Sequence, residues 1–312
     1  MDEYKNISGI LVVDKPSGIT SYQTVARIKK ILNPKKIGHT GTLDPIASGL
    51  LLICLNEATK LVYFLQDFEK EYQATMKLGE ETDTYDSTGK IISTTSFYPE
   101  SIKVIEETFY TFKGTILQIP PMFSAIKKNG VPLYRLARKG KNIKREAKKV
   151  EIYKLEIRDI SLPYITFMVT CSKGTYIRSL VYDIGKKLGC GAHLVALRRL
   201  KSDDFTINDA IPLDEAIRFV KEKKIERIVI PLEKALYSYP SIFLDHTLEK
   251  RVKNGIPLSI KDLEKINNID LDQQEKFKLL SKEGKLIAIA YRLNLSSRKG
   301  EEVVLKSLRV FN

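Results

Sequence analysis

Asp44 is the lone carboxylate in the string Gly38-His39-Thr40-Gly41-Thr42-Leu43-Asp44-Pro45-Ile46-Ala47-Ser48-Gly49. A carboxylate is anionic at neutral pH without help from a base, so it can act as a nucleophile once it is aimed. The residues around it suit aiming. Glycine opens backbone conformations that other residues resist, and Pro45 drives its predecessor toward extended geometry. The unbroken apolar run from Leu50 to Leu55 reads as a strand buried on both faces. Asp44 is therefore expected in a constrained loop at the mouth of a buried strand, although by composition alone the string also describes an ordinary turn.

A second group with chemical meaning is Arg178, in Gly174-Thr175-Tyr176-Ile177-Arg178-Ser179-Leu180. The spacing of Ile177, Leu180, Val181, Ile184 and Leu188 predicts a helix stopped by Gly189, with Arg178 in its first turn. A cation there opposes the helix dipole by roughly 0.3–1 kcal/mol. A fixed anion nearby offsets that cost, and an arginine fork holds a carboxylate without taking its proton. No second carboxylate stands in a comparable motif, which argues against the paired-acid hydrolysis of most glycosidases.

Elsewhere in the chain, Glu71 to Leu78 alternates with period two, placing Tyr72, Ala74, Met76 and Leu78 on one inward face. Such a position makes Tyr72 a core residue by pattern. Residues 127–149 carry ten cations (Lys127, Lys128, Arg135, Arg138, Lys139, Lys141, Lys144, Arg145, Lys148 and Lys149) against the single acid Glu146. Charge runs are commonly no more than solvated faces. This one supplies most of a net charge of +14 and encloses Tyr134, which favours contact with a phosphate backbone. Leu133, Leu136 and Ala137 can dock a short helix there, bracketed by Gly130 and Gly140.

These strings resemble one family, the TruB tRNA pseudouridine synthases. Residues 38–51 are similar to its GHTGTLDP…SGLL signature, and Gly174–Ser179 to its GTYIRS motif. Gly191–Arg199 resembles its GAHLxxLRR segment, and Asp14–Ser21 (DKPSGITS) its opening motif. The resemblance implies that Asp44 is the nucleophile and that Arg178 pairs with it. It also implies that Tyr72 packs against the target base, and that Tyr176 and Leu197 line the uracil pocket. His39 would occupy the space left by a base flipped out of its loop. Residues 120–150 resemble the family's mobile insertion, so that Lys127, Lys128, Arg135, Arg138, Lys139 and Lys141 would contact the backbone of a tRNA T-arm. The acidic loop Thr82–Gly89 is similar to the family's TDTxDxxG loop and reads as structural. Leu200 and the pair Asp203-Asp204 depart from the pattern, standing where many members carry a small polar residue and a glycine.

The reaction this implies turns uridine into pseudouridine, at position 55 of the tRNA T-loop. The C1′–N1 bond breaks, the uracil turns, and C1′ rejoins at C5; Tyr72 could stack on the ring or help remove the C5 proton. Substrate and product are isomers, so no cofactor is called for. His39, His193 and His246 lie far apart and no Cys-x-x-Cys occurs, which predicts no metal site. Two other classes compete: a non-catalytic RNA-binding or tRNA-folding protein, and a uracil-releasing hydrolase. The first needs neither Asp44 nor Arg178, and the second needs a water-activating base for which no candidate stands out.

The expected architecture is α+β. A catalytic domain over 1–236 would have a mixed central sheet flanked by helices. A small β-rich domain over 241–312 is similar in position, and in its Gly-Ile-Pro-Leu string, to the family's PUA domain. Helices are expected from Thr20 or Ser21, over Ala58–Leu65, and over Pro99–Phe112 with Ile102, Ile105 and Phe109 in its apolar stripe. Three widely spaced cysteines, no secretory leader and no run long enough to span a membrane predict a cytoplasmic protein. Without long charged extensions it is expected to act as a monomer with no obligatory protein partner.

Overall fold

The computed structural model describes residues 5–202, 204–264, 275–297 and 300–311. Among them, eleven strands form one mixed sheet, whose main order is Ile211–Pro212, Gly9–Lys15, Ala47–Leu55, Ala192–Ser202, Lys70–Leu78, Tyr164–Cys171, Lys148–Ser161 and Gly114–Gln118. Most neighbours are antiparallel. The exception that matters lies at the centre, where Ala47–Leu55 runs parallel to Ala192–Ser202, with Leu197 opposite Ala47 and Arg199 opposite Gly49. A parallel pair cannot be closed by a tight turn, so this contact joins two segments far apart in sequence.

The central strand explains its own composition. Leu51, Ile53 and Leu55 point into one apolar cluster with Leu11, Val13, Met76, Phe167, Leu180 and Ile184. Leu50, Leu52 and Cys54 point the other way, into a second cluster with Ile10, Val12, Phe64 and Phe205. With both faces covered, alternation disappears and a continuous hydrophobic run is required. The helices Ser21–Leu32, Ile102–Tyr110 and Ile177–Lys187 contribute to the first face. Leu280, Leu286, Ile289 and Phe311 of the C-terminal β-rich domain cover the second.

That domain is built on a five-stranded sheet in the order Ser241–Phe243, Lys276–Leu280, Leu286–Ser297, Gly300–Val310 and Leu258–Ser259. Gly284, at φ 85°, turns the hairpin between the second and third of these. The Asn- and Asp-rich stretch near 267–272 lies outside the described residues, as does Asp203; Asp204 accepts from the Ser238 amide at 3.1 Å. No helix among the described residues is long and apolar enough to cross a membrane.

Local expectations met specific physical outcomes. Thr20 caps the Ser21–Leu32 helix through a reciprocal capping box with Gln23. The Ala58–Leu65 segment is not one helix but a 3-10 turn, Asn56–Leu61, followed by Val62–Gln66. The helix expected over Pro99–Phe112 is shorter, Ile102–Tyr110, because the Ser101 side chain caps it. Ile102 is then its first residue and stands 57% exposed, while Ile105 and Phe109 are buried. The basic insertion contains a feature its charge pattern hid, a two-residue hairpin in which Lys127 and Lys128 pair with Pro132 and Val131. Asn129 and Gly130, at φ 52° and 79°, form its turn, the mirror-image type that suits strand twist.

Candidate active site

The Asp44 loop is laced to the turn that ends the first strand. Ser17 Oγ donates to the Ile46 carbonyl at 2.9 Å and the Gly18 amide to that of Pro45 at 2.8 Å. Ser21 Oγ, at the helix start, accepts from the Leu43 amide at 2.8 Å and donates to the Leu43 carbonyl at 3.1 Å. The DKPSGITS string therefore does more than turn the chain: it is the bed on which residues 43–46 rest. Gly49 fixes the other side. Its φ is 100°, and a Cβ there would lie 2.3 Å from the Arg199 carbonyl oxygen, so only glycine fits.

Arg178 meets Asp44 in a fork, with Nε 2.8 Å from Oδ2 and Nη2 3.0 Å from Oδ1. Two of the three remaining donors are engaged as well. Nη1 donates to the Thr84 carbonyl at 3.0 Å and Nη2 also to that of Phe123 at 2.9 Å. The guanidinium is almost fully buried, whereas the Asp44 side chain keeps 31% of its surface. A rigid cation thus holds a carboxylate whose outer edge stays open to a ligand. Asp86 completes the group, its Oδ2 3.6 Å from Arg178 Nε and its Oδ1 accepting from Thr84 Oγ1, Thr88 Oγ1 and the Thr88 amide. The acidic loop is therefore part of the site, not only a structural turn as its sequence suggested.

Tyr72 lies buried on the strand Lys70–Leu78, directly opposite Arg199 and two residues from Ala74, which faces Leu197. Burial pushes its phenol up, and the nearby Arg199 guanidinium works in the opposite direction. Tyr176 caps the Arg178 helix without a side-chain bond, and its backbone is gripped by the buried Gln118 amide. Burial raises the Tyr176 phenol, with a smaller contribution from Asp44. His39 ends the short strand Ile37–His39, paired with Ile53. Burial, with Arg199 second, holds the imidazole below its usual range, and Nδ1 is buried without a hydrogen-bond partner. The structure thus joins Asp44 to Arg178 and sets Tyr72 and Tyr176 within reach of the Asp44 charge, while His39 and Tyr72 both neighbour Arg199, and Leu197 lies two residues before Arg199 on its strand. Lys127, Lys128, Arg135, Arg138, Lys139 and Lys141 stand apart from these residues, exposed on the insertion. None of these six forms an ion pair among the described residues, and Arg138 lies over the Tyr134 ring.

Sequence reasoning missed Lys15 and Arg199. Lys15 is wholly buried and donates to the carbonyls of Pro16 and Ile19 at 2.8 and 2.7 Å. Burial lowers it to about 8, against an opposing pull from Asp44 and a further push from Arg199. Period-two spacing from Leu11 and Val13 would have pointed to it, since it shares their inward face. Arg199, also buried, donates to the carbonyls of Leu50 at 2.7 Å and Gly41 at 3.2 Å, tying the Asp44 loop to the central strand. An arginine beside Arg198 carries no such signal; Arg198 takes the outward role, forked onto Asp14 at 2.6 and 3.1 Å.

Residues 29–177 match the TruB family pseudouridylate synthase N-terminal domain, and residues 178–237 match the tRNA pseudouridylate synthase B C-terminal domain. A Clostridium tetani protein named tRNA pseudouridine synthase B is 46% identical over 279 residues, spanning 87% of this chain and 94% of that one. The chain belongs to the TruB family. A Geotalea uraniireducens protein of the same name is 41% identical over 309 residues, spanning 98% of each. Among solved structures, a Cbf5-Nop10-Gar1 complex aligns with a TM-score of 0.74 at 29% identity, covering 97% of this chain and 85% of that chain. An H/ACA RNP bound to a substrate RNA containing 2′-deoxyuridine aligns with a TM-score of 0.73 at 27% identity, with the same coverages. The fold is that of pseudouridine synthases, and the chain is an isomerase of that class.

Proposed function

We infer that this TruB-family enzyme isomerises uridine to pseudouridine at position 55 in the T-loop of tRNA, with Asp44 as the nucleophile. The observation that carries the reading is the forked, half-open Asp44 carboxylate on a buried Arg178. A protein that only bound RNA has no need of a carboxylate held by that arginine with part of its surface open. Arg178 restricts Asp44 to one rotamer and cannot quench it by proton transfer. Tyr72 and Leu197 offer an aromatic face and an apolar wall to an extruded uracil, Tyr176 closes the rim, and His39 stands where a base would leave a vacancy. Asp44 forms a transient bond to the nucleotide and the C1′–N1 bond breaks. The uracil, held by these walls, turns and bonds C1′ through C5. The bond to Asp44 breaks and restores its carboxylate, and C5 loses its proton to solvent while N1 takes one up. Pairing of the exposed insertion cations with phosphates of the T-arm fits their lack of carboxylate partners among the described residues.

The chain divides in this reading into a catalytic domain over 1–236 and a PUA-like RNA-binding domain over 241–312. It works in the cytoplasm as a monomer, without cofactor, metal or obligatory protein partner. The test is release of label from C5 of the target uridine in T-arm RNA, with Asp44→Asn alongside and binding measured on the same samples. Release by wild type alone, with binding retained by the variant, is expected. Binding by both proteins with release by neither would replace the enzyme by an RNA-binding protein.

A further inference from the structure

Nine of the ten cations in residues 127–149 are exposed, and Arg145 is the exception. It turns inward. Its Nη1 donates to the Pro120 carbonyl at 3.2 Å, at the root of the insertion, its Nε is buried without a hydrogen-bond partner among the described residues, and its guanidinium stands beside the Tyr85 phenol. Tyr85 lies between Thr84, whose carbonyl accepts from Arg178, and Asp86, whose carboxylate flanks Arg178. At φ 64° its backbone is left-handed, a state that a bulky residue resists and that its surroundings must impose. Those surroundings are specific. The Tyr85 ring stacks on Tyr182 with centroids 4.1 Å apart at 17°, and its carbonyl accepts from the Leu194 amide at 3.0 Å. Tyr182 is four residues beyond Arg178 on the same helix, and so on the same helix face.

We propose that Arg145 is a positioning residue that latches the basic insertion onto Tyr85 and Tyr182, so that engagement of RNA by the insertion sets the Thr84–Asp86 loop against Arg178 and hence aims Asp44. The root of the insertion supports the same linkage from its other end. Gln118 grips both backbone groups of Tyr176, Ser179 Oγ donates to the Ile119 carbonyl at 2.9 Å, and Arg178 itself reaches Phe123. The RNA-facing segment and the helix that carries Arg178 are stitched at both of the insertion's ends. Tyr85 supplies the strained element: released from Arg145, its loop can relax away from the left-handed state and withdraw the Thr84 carbonyl from Arg178.

This inference rests on the reading of Asp44 and of an RNA substrate, and its test has an arm independent of both. In the free protein, amide hydrogen exchange over residues 82–89 is expected to speed up in Arg145→Ala and in Tyr85→Phe, which keeps the stack and loses the hydroxyl. With T-arm RNA, each variant should lower the single-turnover rate roughly ten- to a hundredfold while the Kd stays within about threefold. The double variant should be no slower than the slower single, and Arg145→Lys should recover part of the rate. Unchanged exchange, multiplicative rate losses, or weakened binding at an unchanged bound rate would each overturn the latch, the last by making Arg145 one more phosphate contact. A wild type that forms no pseudouridine would instead end the functional reading, and the exchange arm alone would then decide the latch.

Discussion

Breaking the Asp44–Arg178 fork gives the sharpest physical test of the site. Arg178→Met removes a buried guanidinium that donates to two carboxylate oxygens and two backbone carbonyls. Losing one partner of a fully buried pair costs about 3–5 kcal/mol, because the other charge is left uncompensated. Asp44 is about one-third open to water, which reduces its share, but the Thr84 and Phe123 carbonyls lose their partner too. The expected loss of unfolding free energy is about 3 kcal/mol. Asp44→Asn should lose less, about 1–2 kcal/mol, since an amide oxygen can still accept from Arg178. Urea denaturation of wild type, both single variants and the double, at one pH, closes the cycle. A coupling energy above about 1.5 kcal/mol is expected, with weak dependence on salt because the two charges touch, far inside a Debye length, and the guanidinium is buried. A coupling below about 0.5 kcal/mol would refute the argument that the fork holds the loop. Arg178→Lys keeps the charge and loses the planar fork, so the single-turnover rate should fall by roughly a hundredfold even where the fold survives.

Two further outcomes rest on the charge distribution. Replacing Lys127, Lys128, Lys139 and Lys141 with glutamine should weaken T-arm binding and flatten its salt dependence, by a slope of about 0.7–0.9 for each phosphate no longer neutralised. Salt titration of binding checks this, and an unchanged slope would remove these lysines from the interface. Asp183, on the Arg178 helix, is pushed up to about 6 by burial. Its ionised form is disfavoured in the folded state, so the resulting penalty is absent below the unfolded pKa near 4 and grows as pH rises to about 6. Asp183→Asn should therefore leave stability unchanged at pH 4 and raise it by about 1–2 kcal/mol at pH 7.5, after discount for partial exposure. Denaturation midpoints at the two pH values decide; a difference independent of pH would show that the carboxyl is not buried as a charge.

Much of the site was legible because its residues sit in short strings with local meaning. Asp44 among glycines, the helix start at Arg178 and the inward phase of Tyr72 are each fixed by a few neighbours. Lys15 was readable in the same way, from the alternation of its strand. Asp86 was not. A carboxylate in an acidic turn looks the same whether it faces water or, as here, an arginine ninety-two residues later in the chain. Arg199 and Arg198 were equally indistinguishable, since adjacent residues of a strand face opposite sides and only the pairing decides which side is buried.

The sequence by itself determined the two-faced apolar centre, the caps and turns, and the charge of the insertion, because each follows from backbone preference and periodicity within a dozen residues. Only the tertiary structure decided that Asp44 and Arg178, 134 positions apart, share a fork. The parallel pairing of Leu197 with Ala47 fixes where the loop after His39 stands relative to the Arg178 helix, and a shift by one residue would turn Arg199 out and Arg198 in. Register is set by the fit of whole faces against the core, and no local string contains that sum.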